Sequence, residues 1–337
     1  MTVSIVCLLL LPGLSAGCAS RHQPTVVVYT SVDQQYSEPV LRLFAERTGI
    51  QALPVYDVEA TKTTGLVNRL VAERAHPRAD VFWNCEFAQT ILLKEQGALA
   101  AYDSPSAEDI PQQVRDAEHY WAGTAGRARV IVVNTNLVKP EDYPASFREL
   151  LDERWPARSL AMALPLFGTS ATHAAALYAL WGPEVARRFY ERLKRRGVQM
   201  VDGNSVVRDM VASGQARWGL TDTDDVAAGL RRGSPIAAVF PDQADGGEGT
   251  LVIPGTVALI ADAPHPEEGR QLVDFLLSRE VEGLLVQAGW CHVTLRKLDI
   301  APAYFGDVQV KALRVSLDEA YQQLDRVKQE LRDIFVR

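Results

Sequence analysis

The sequence lacks the excess of positive charge that nucleic-acid-binding proteins carry. Its 337 residues include 35 Lys and Arg against 42 Asp and Glu, which gives a formal net charge of −7 at pH 7. A protein that binds the phosphate backbone needs a basic face, so this balance argues against such a partner. At roughly 150 residues per domain, the length predicts about two domains.

Cysteine is scarce, and its spacing does not fit a metal centre. Cys7 and Cys18 lie near the start of the chain, and Cys85 and Cys291 lie in its body. The CxxC and Cys/His spacings typical of zinc sites do not occur. In an oxidising compartment Cys85 and Cys291 can pair, but the sequence leaves their connectivity open.

Catalytic motifs are also missing from the sequence. Nucleophile-elbow, metalloprotease, phosphate-loop and dinucleotide-binding patterns do not occur in the proper context. We therefore expect no enzyme, no catalytic residue and no catalytic cofactor. An enzyme that uses a metal ion held by acidic side chains remains the alternative from another functional class.

The first twenty residues have the pattern of an export signal. The apolar run Val3 to Leu11 is shorter than the about 20 residues of a membrane-spanning helix, and Pro12-Gly13 ends it. Such a run followed by small residues is typical of a secretory signal peptide. The small residues before Cys18 are similar to a bacterial lipobox, in which the cysteine is lipidated. We predict that residues 1–20 are a signal peptide with a lipobox, that Cys18 anchors the protein to a membrane, and that the protein is periplasmic or on the cell surface.

From Thr25 onward, short β-branched runs alternate with amphipathic helical segments. The predicted strands lie at residues 25–29, 51–56, 79–83, 129–133, 159–163, 197–201, 217–221, 250–253 and 256–260. This alternation is the signature of parallel sheets flanked by helices, so we predict an α/β fold. Two such units imply two lobes joined by crossing strands at 127–134 and 250–257. A polar-faced helix is predicted over 308–335.

The loops that follow the predicted strands are polar, and each opens a predicted helix. In open α/β sheets, ligands bind outside the carboxyl ends of the strands, so these loops should meet at one cleft. Their candidate binding residues are Ser31, Asp33, Thr61, Lys62, Thr63, Asn84, Glu86, Gly168, Thr169, Ser170, Asn204, Asp222, Thr223, Asp224 and Asp225. For any single loop, helix capping explains the same residue types. The binding interpretation depends on several loops converging.

Two kinds of subsite are expected in that cleft. Gly168-Thr169-Ser170 suits an anion, because free backbone N–H groups and the helix dipole attract phosphate or carboxylate. Thr61-Lys62-Thr63 is a candidate second anion seat. Clustered carboxylates repel one another unless a metal ion or ammonium group lies between them. The candidate cation ligands are Asp33, Glu86, Asp222, Asp224 and Asp225.

Four segments occur in an order and spacing that point to a known family. They are Val28–Ser31, Gly65–Leu70, Ala79–Trp83 and Gly203–Val206. Together they resemble family 1 extracellular solute-binding proteins of ABC importers, and most closely the ferric-iron-binding branch. The resemblance implies the two-lobed periplasmic-binding-protein fold of type II, with hinge closure around the ligand. It also implies a monomer that delivers its ligand to permease and ATPase subunits.

In the iron branch, the resemblance implies a ferric ion held by a histidine, a glutamate and two adjacent tyrosines, with a phosphate or carbonate beside it. Asp33 stands at the histidine position and Glu86 at the glutamate position. The tyrosine position falls within Thr221–Asp225, which contains no tyrosine, whereas the anion position is kept at Gly168–Ser170 and Asn204. The implied cargo is ferric iron or another cation with a synergistic anion. A phosphate-bearing or zwitterionic organic solute remains the alternative.

The crossing strands also predict where the two lobes divide. Residues 25–126 together with 255–300 are expected to form the N-terminal lobe. Residues 127–254 together with 301–337 are expected to form the C-terminal lobe. The chain would therefore pass between the lobes more than once, which is the connectivity that a hinge of two strands requires.

Replacing Cys18 with Ser tests the predicted anchor in a bacterial host. Because a lipid chain attached to Cys18 would hold the protein at the membrane, Cys18→Ser should move most of the protein to the soluble fraction. Cell fractionation with immunoblotting measures this, and Cys7→Ser is the matched control, which should stay in the membrane fraction. A Cys18→Ser variant that fractionates like the unmodified protein would contradict the prediction.

Overall fold

The computed structural model describes residues 23–57, 64–306 and 309–336. Its strands are β1 (Thr25–Thr30), β2 (Gln51–Tyr56), β3 (Val81–Asn84), β4 (Leu99–Ala100), β5 (Ala122–Asn134), β6 (Leu160–Ala163), β7 (Gln199–Val201), β8 (Trp218–Asp222), β9 (Ile236–Val239) and β10 (Val252–Ile260). Its α-helices are α1 (Gln34–Thr48), α2 (Thr64–Glu73), α3 (Ala88–Glu95), α4 (Gly168–Trp181), α5 (Pro183–Arg196), α6 (Asn204–Ala212), α7 (Thr223–Arg231), α8 (Pro266–Leu276), α9 (Arg279–Gln287) and α10 (Leu317–Phe335). Within these ranges, every helix is too short or too polar to span a bilayer.

The first lobe is built on the sheet that contains β1 to β4 and β10. Strand β1 pairs in parallel with β2 and β3, while β10 runs antiparallel to both β3 and β4. Val26 and Val28 are fully buried and belong to one apolar cluster with Phe44 of α1 and Leu272 of α8. Burial of this β-branched run explains why it forms an inner strand instead of a surface one.

The second lobe is built on the sheet of β6 to β9. Strand β6 pairs in parallel with β7 and β8, and β5 runs antiparallel to β8 and β9. Helix α10 covers this lobe: its buried residues Leu324, Val327 and Leu331 belong to the same apolar cluster as Leu177 of α4. The helix also reaches the first lobe, because the Tyr321 hydroxyl donates to Glu95 of α3 at 2.7 Å.

Strand β5 belongs to both sheets and joins the two lobes. Its residues 122–128 pair with β10, and residues 129–133 pair with β8. All of its residues are buried. Both crossing strands are irregular at the junction: the pairing shifts between Pro254 and Gly255, and the facing Ala125 has a left-handed φ of 41°. A bulge of this kind increases local twist and re-aims the strand. The predicted α/β fold of two sheets is confirmed.

Strands β4 and β9 were not among the predicted strands, and three predicted elements differ most from the structure. The predicted strand 129–133 is the end of the longer β5, and the strands predicted at 250–253 and 256–260 are the single strand β10. The last helix begins at Leu317, well after the predicted residue 308. It starts there because Ser316 and Glu319 form a capping box, in which each side chain accepts the other residue's backbone N–H.

Gly126→Ala tests how tightly the junction is packed. The Gly126 N–H donates to the carbonyl of Val293 at 2.8 Å, and a Cβ at this position would lie 2.4 Å from that same oxygen. The variant should therefore lower the free energy of unfolding, measured with urea, by about 1–3 kcal/mol. Gly283→Ala in α9, where nothing lies within 4 Å of the added carbon, is the control and should be neutral or mildly stabilising. Equal stability of the two variants would contradict this account.

Candidate functional site

A cleft of about 460 Å³ opens between the two lobes. Loops after β1 and β3 line it from the first lobe, and loops after β6, β7 and β8 line it from the second. The predicted binding residues that line it are Ser31, Asp33, Glu86, Gly168, Thr169, Ser170, Asn204, Asp222, Asp224 and Asp225. The structure therefore brings strand-end loops from both lobes together, as the topological rule requires.

Two other candidates lie behind the cleft wall. Asn84 is fully buried, accepts a hydrogen bond from the Ser31 hydroxyl at 2.5 Å and donates to the Glu86 carbonyl at 2.6 Å. Thr223 is also fully buried, and its hydroxyl oxygen accepts from the backbone N–H of Ala128 at 3.1 Å. Both side chains support the loops that carry lining residues. Neither belongs to the lining itself.

Of the other residues singled out in the sequence, those that the structure describes do not line the cleft, with the exception of Cys85. The candidate second anion seat, Thr61, Lys62 and Thr63, lies outside the described residues, and so does Cys18. No disulfide joins Cys85 to Cys291. Cys291 is buried, and this burial raises the pKa of its thiol above the usual range. Cys85 lines the cleft.

The candidate anion seat is tied together by one buried aspartate. Oδ2 of Asp222 accepts from the Thr169 hydroxyl at 2.5 Å and from Nδ2 of Asn204 at 3.0 Å. Oδ1 of Asp222 accepts from Nη1 of Arg129 at 2.7 Å. Asp222 therefore holds the starts of α4 and α6 side by side. Helix starts present free N–H groups, and two of them in one place suit an anion.

Asp222, the last residue of β8, lies close to Asp224 and Asp225 in the first turn of α7, and each of the three pairs with an arginine. Asp222, Asp224 and Asp225 each offer an oxygen, and these oxygens lie within 4.8 Å of one another. Their ion-pair partners are, in the same order, Arg129 at 2.7 Å, Arg127 at 3.0 Å and Arg208 at 3.4 Å. The chain therefore supplies positive charge of its own beside the aspartates that were predicted as cation ligands.

Sequence reasoning missed these arginines because they lie within a strand and a helix and not in strand-end loops. Arg127 and Arg129 belong to β5, and Arg208 belongs to α6. A signal for the first two was present: two charged residues in alternation inside an otherwise apolar strand pattern. Side chains at alternating strand positions point to the same face, so the pair predicts a buried charged surface there.

The aspartates differ in how readily they ionise. Burial, together with the charges of Asp224 and Asp222, raises the pKa of Asp225 to about 7. Burial opposes ionisation of Asp224 as well, but the guanidinium of Arg127 holds the pKa of Asp224 below its usual range. Asp224 therefore ionises more readily than its neighbour Asp225.

In the first lobe, Glu86 serves its own helix. Its carboxylate accepts the backbone N–H groups of Ala88 at 2.7 Å and Gln89 at 2.9 Å, which caps α3. Burial raises the pKa of Glu86 despite these bonds. Asp33 lies directly before α1 and lines the same cleft. Asp33 and Glu86 of the first lobe thus line the same cleft as the aspartates of the second.

A family model described as "Bacterial extracellular solute-binding protein" matches residues 79–295, which is more than half of the chain. The chain belongs to this family. Its cleft between two α/β lobes is the feature that a solute-binding protein requires, and the prediction made from the four sequence segments is confirmed at this level.

Named relatives of this solute-binding protein differ in what their names say they bind. Iron uptake protein A1 of Synechocystis is 24% identical over 308 residues, covering 88% of this chain and 83% of that protein. A putative 2-aminoethylphosphonate-binding periplasmic protein of Salmonella typhi is 25% identical over 258 residues, covering 75% and 72%. The solved structure of Trichodesmium IdiA (FutA) with iron and citrate has a TM-score of 0.81 at 20% identity, covering 93% and 100%. This likeness confirms the two-lobed periplasmic-binding-protein fold.

Asp225→Asn tests the electrostatics of the cleft through stability. The pKa of Asp225 rises from 3.8 to about 7 on folding, so the folded chain binds more protons between these values and the unfolding free energy falls as pH rises. The neutral asparagine lacks this dependence. Relative to the unmodified protein, the variant should gain on the order of 1–2 kcal/mol between about pH 5 and pH 8, measured by urea denaturation. Asp245→Asn, on the exposed surface, should show no such gain. A pH-independent difference for Asp225→Asn would contradict the prediction.

Proposed function

We propose that this solute-binding protein is the receptor of an ABC importer and that it captures ferric iron, or another cation, with a synergistic anion between its lobes. One observation carries the proposal: acidic side chains and two helix starts meet in a single cleft. That combination offers hard oxygen ligands on one side and backbone N–H groups on the other. A cation that arrives with an anion uses both.

The acidic side chains of the cleft support the cation part of this proposal. Carboxylate oxygens are preferred ligands of hard metal ions, and Asp222, Asp224 and Asp225 each offer an oxygen within 4.8 Å of the others, a spacing that fits a shared ion. Asp33 lines the opposite side of the same cleft. Closure of the lobes would bring both sets onto one cargo, and two-lobed binding proteins work through that motion.

The two helix starts support the anion part of this proposal. Gly168-Thr169-Ser170 opens α4, Asn204 opens α6, and the Ser170 hydroxyl donates to Oδ1 of Asn204 at 3.3 Å. Both starts line the cleft, where their dipoles favour negative charge. The seat lies beside Asp222, so an anion there needs a cation or guanidinium close by to offset repulsion.

The named relatives support the cation with its anion as the first candidate. One is called an iron uptake protein, and the neighbouring solved structure holds iron and citrate. The second candidate is a phosphate-bearing or zwitterionic organic solute, and the 2-aminoethylphosphonate name of another relative supports it. A specific observation also favours it: Arg127 and Asp224 present opposite charges side by side in a cleft of about 460 Å³.

The cellular setting forms part of the same proposal. We propose that the protein is exported, that Cys18 tethers it to the membrane, and that it works as a monomer without catalytic activity. Its partners would be the permease and ATPase of the importer. The lobes would divide at the crossing strands, as 25–126 with 255–300 and 127–254 with 301–337.

Metal analysis combined with thermal unfolding tests the cargo. Protein purified without chelator should carry about one metal ion per chain, and ferric iron added with phosphate or citrate should raise the melting temperature, since a ligand that binds only the folded state stabilises it. Asp224→Asn should weaken the apparent affinity at least tenfold, while Asp245→Asn should not change it.

Two results would contradict the first candidate. One is the absence of any stabilisation across a panel of metals and anions. The other is stabilisation of metal-free protein by 2-aminoethylphosphonate or a sugar phosphate alone, which would establish the organic candidate in its place.

A further inference from the structure

A large apolar side chain is exposed inside the binding cleft. Phe167 lines the cleft and is 71% exposed, the largest fraction among the large apolar side chains that the structure describes. Single exposed apolar residues are common on protein surfaces and need no explanation there. A ring inside a concave cleft is different, because a molecule that fills the cleft covers it. Phe167 is therefore placed where it can contact a ligand.

Phe167 belongs to the same loop as the candidate anion seat. It directly precedes residues 168–170, which open α4, and it occupies the N-cap position of that helix. A Ser, Thr, Asp or Asn at an N-cap accepts one of the free N–H groups of the first turn. A phenyl ring accepts none, so α4 begins without a hydrogen bond from its N-cap side chain. The position therefore offers an apolar contact beside free N–H donors in place of a helix cap.

Two further aromatic rings line the same cleft. Tyr36 of α1 belongs to the first lobe, and its hydroxyl accepts from Nη2 of Arg231 in the second lobe at 3.2 Å. Trp290 follows α9 and is 3% exposed. Tyr36 is thus held by a hydrogen bond and Trp290 by burial, whereas most of the surface of Phe167 is available. Aromatic walls with a few polar groups are typical of clefts that bind organic molecules.

The cleft is also larger than an inorganic cargo requires. Its volume is about 460 Å³. One water molecule takes about 30 Å³ in the liquid, so the cleft has the volume of about fifteen water molecules. One ion with an inorganic phosphate or carbonate would fill a small part of this space, and neither has apolar surface to cover Phe167. Sites for organic ligands have volumes of about 300–1,000 Å³, and this cleft lies in that range.

We propose that Phe167 is a specificity-determining residue that packs against the carbon body of an organic anion, whose phosphate or carboxylate group binds at the adjacent start of α4. The inference rests on the proposed function and deepens it, because it names the class of anion as one joined to a ring or another apolar body. It applies both to an anion that enters with a cation and to an organic solute that enters alone. In either case the start of α4 binds the charged group, and Phe167 selects the body attached to it.

Calorimetric titration of the full chain with matched pairs of anions tests this inference. Phenyl phosphate is compared with methyl phosphate, and benzoate with acetate, each with and without ferric nitrilotriacetate. The two members of a pair share a charged group and differ in the body, so the ratio of their apparent Kd values measures the contact with the body. In at least one pair, the unmodified protein should bind the ring-bearing anion about tenfold to a hundredfold more tightly, which is the effect of burying one large apolar side chain. The pair that shows the ratio identifies the charged group as phosphate or carboxylate.

Three variants locate the preference on the ring of Phe167. Phe167→Ala should bring the ratio to within about threefold of one, whereas Phe167→Tyr keeps the ring and should keep the ratio. Because Phe167 is largely exposed, both variants should fold and melt like the unmodified protein when no ligand is present. Leu137→Ala removes another exposed apolar side chain, which is 44% exposed and does not line the cleft, and should leave the ratio unchanged. A purely structural role of Phe167 in starting α4 predicts weaker binding of both members of a pair with an unchanged ratio.

The outcomes separate this inference from the proposed function. Ratios near one in both pairs overturn the role of Phe167, and so does a ratio that Phe167→Ala leaves unchanged. In both cases, binding of any of these anions or of ferric iron leaves the receptor function standing. Binding of ferric iron without binding of either ring-bearing anion also overturns the inference alone. If the unmodified protein binds neither iron nor any of the four anions, the proposed cargo and this inference fail together.

Discussion

Strand β5 takes two guanidinium groups out of water, and they are compensated by Asp222 at the end of β8 and Asp224 at the start of α7. Arg129 is directly opposite Asp222 in the antiparallel β5–β8 pairing, so the ion pair forms only in that register. A slip of one residue would turn Arg129 to the other face of the sheet and leave a buried charge unpaired, which costs several kcal/mol. The fold of the second lobe and the composition of the cleft therefore depend on the same contact.

That contact also explains the shape of the site. Asp222 is fixed by Arg129 and in turn fixes Thr169 and Asn204, so the starts of α4 and α6 are held together before any cargo arrives. A preorganised seat loses less conformational freedom on binding than a flexible one. Asp224 lies two residues further along, in the first turn of α7, and its buried Oδ1 has no hydrogen-bond partner among the described residues. Asp222 thus holds the two helix starts together, whereas Asp224 makes fewer contacts within the chain.

Much of this arrangement could be predicted from the sequence. The residues that were misplaced or not predicted have physical causes. The rule that ligands bind at strand ends identified Asp33, Thr169 and Asp224, because it needs only strand positions and not side-chain directions. Asn84 was predicted as a ligand but is the last residue of β3 and points inward, since side-chain direction alternates along a strand and strand ends are uncertain by a residue. Arg127 was missed because a charge within a strand is informative only once its partner across the fold is known.

The strand that joins the lobes also contributes a side chain, Arg127, to the lining of the cleft. Strand β5 changes partner from β10 to β8 after Ala128, and the bulge at Ala125 lies just before that change. Any change in the angle between the lobes has to be absorbed where the shared strand leaves one sheet for the other. Arg127 lies between these two points and is bonded to both lobes. Arg127 therefore joins the two lobes at the point where that angle would change.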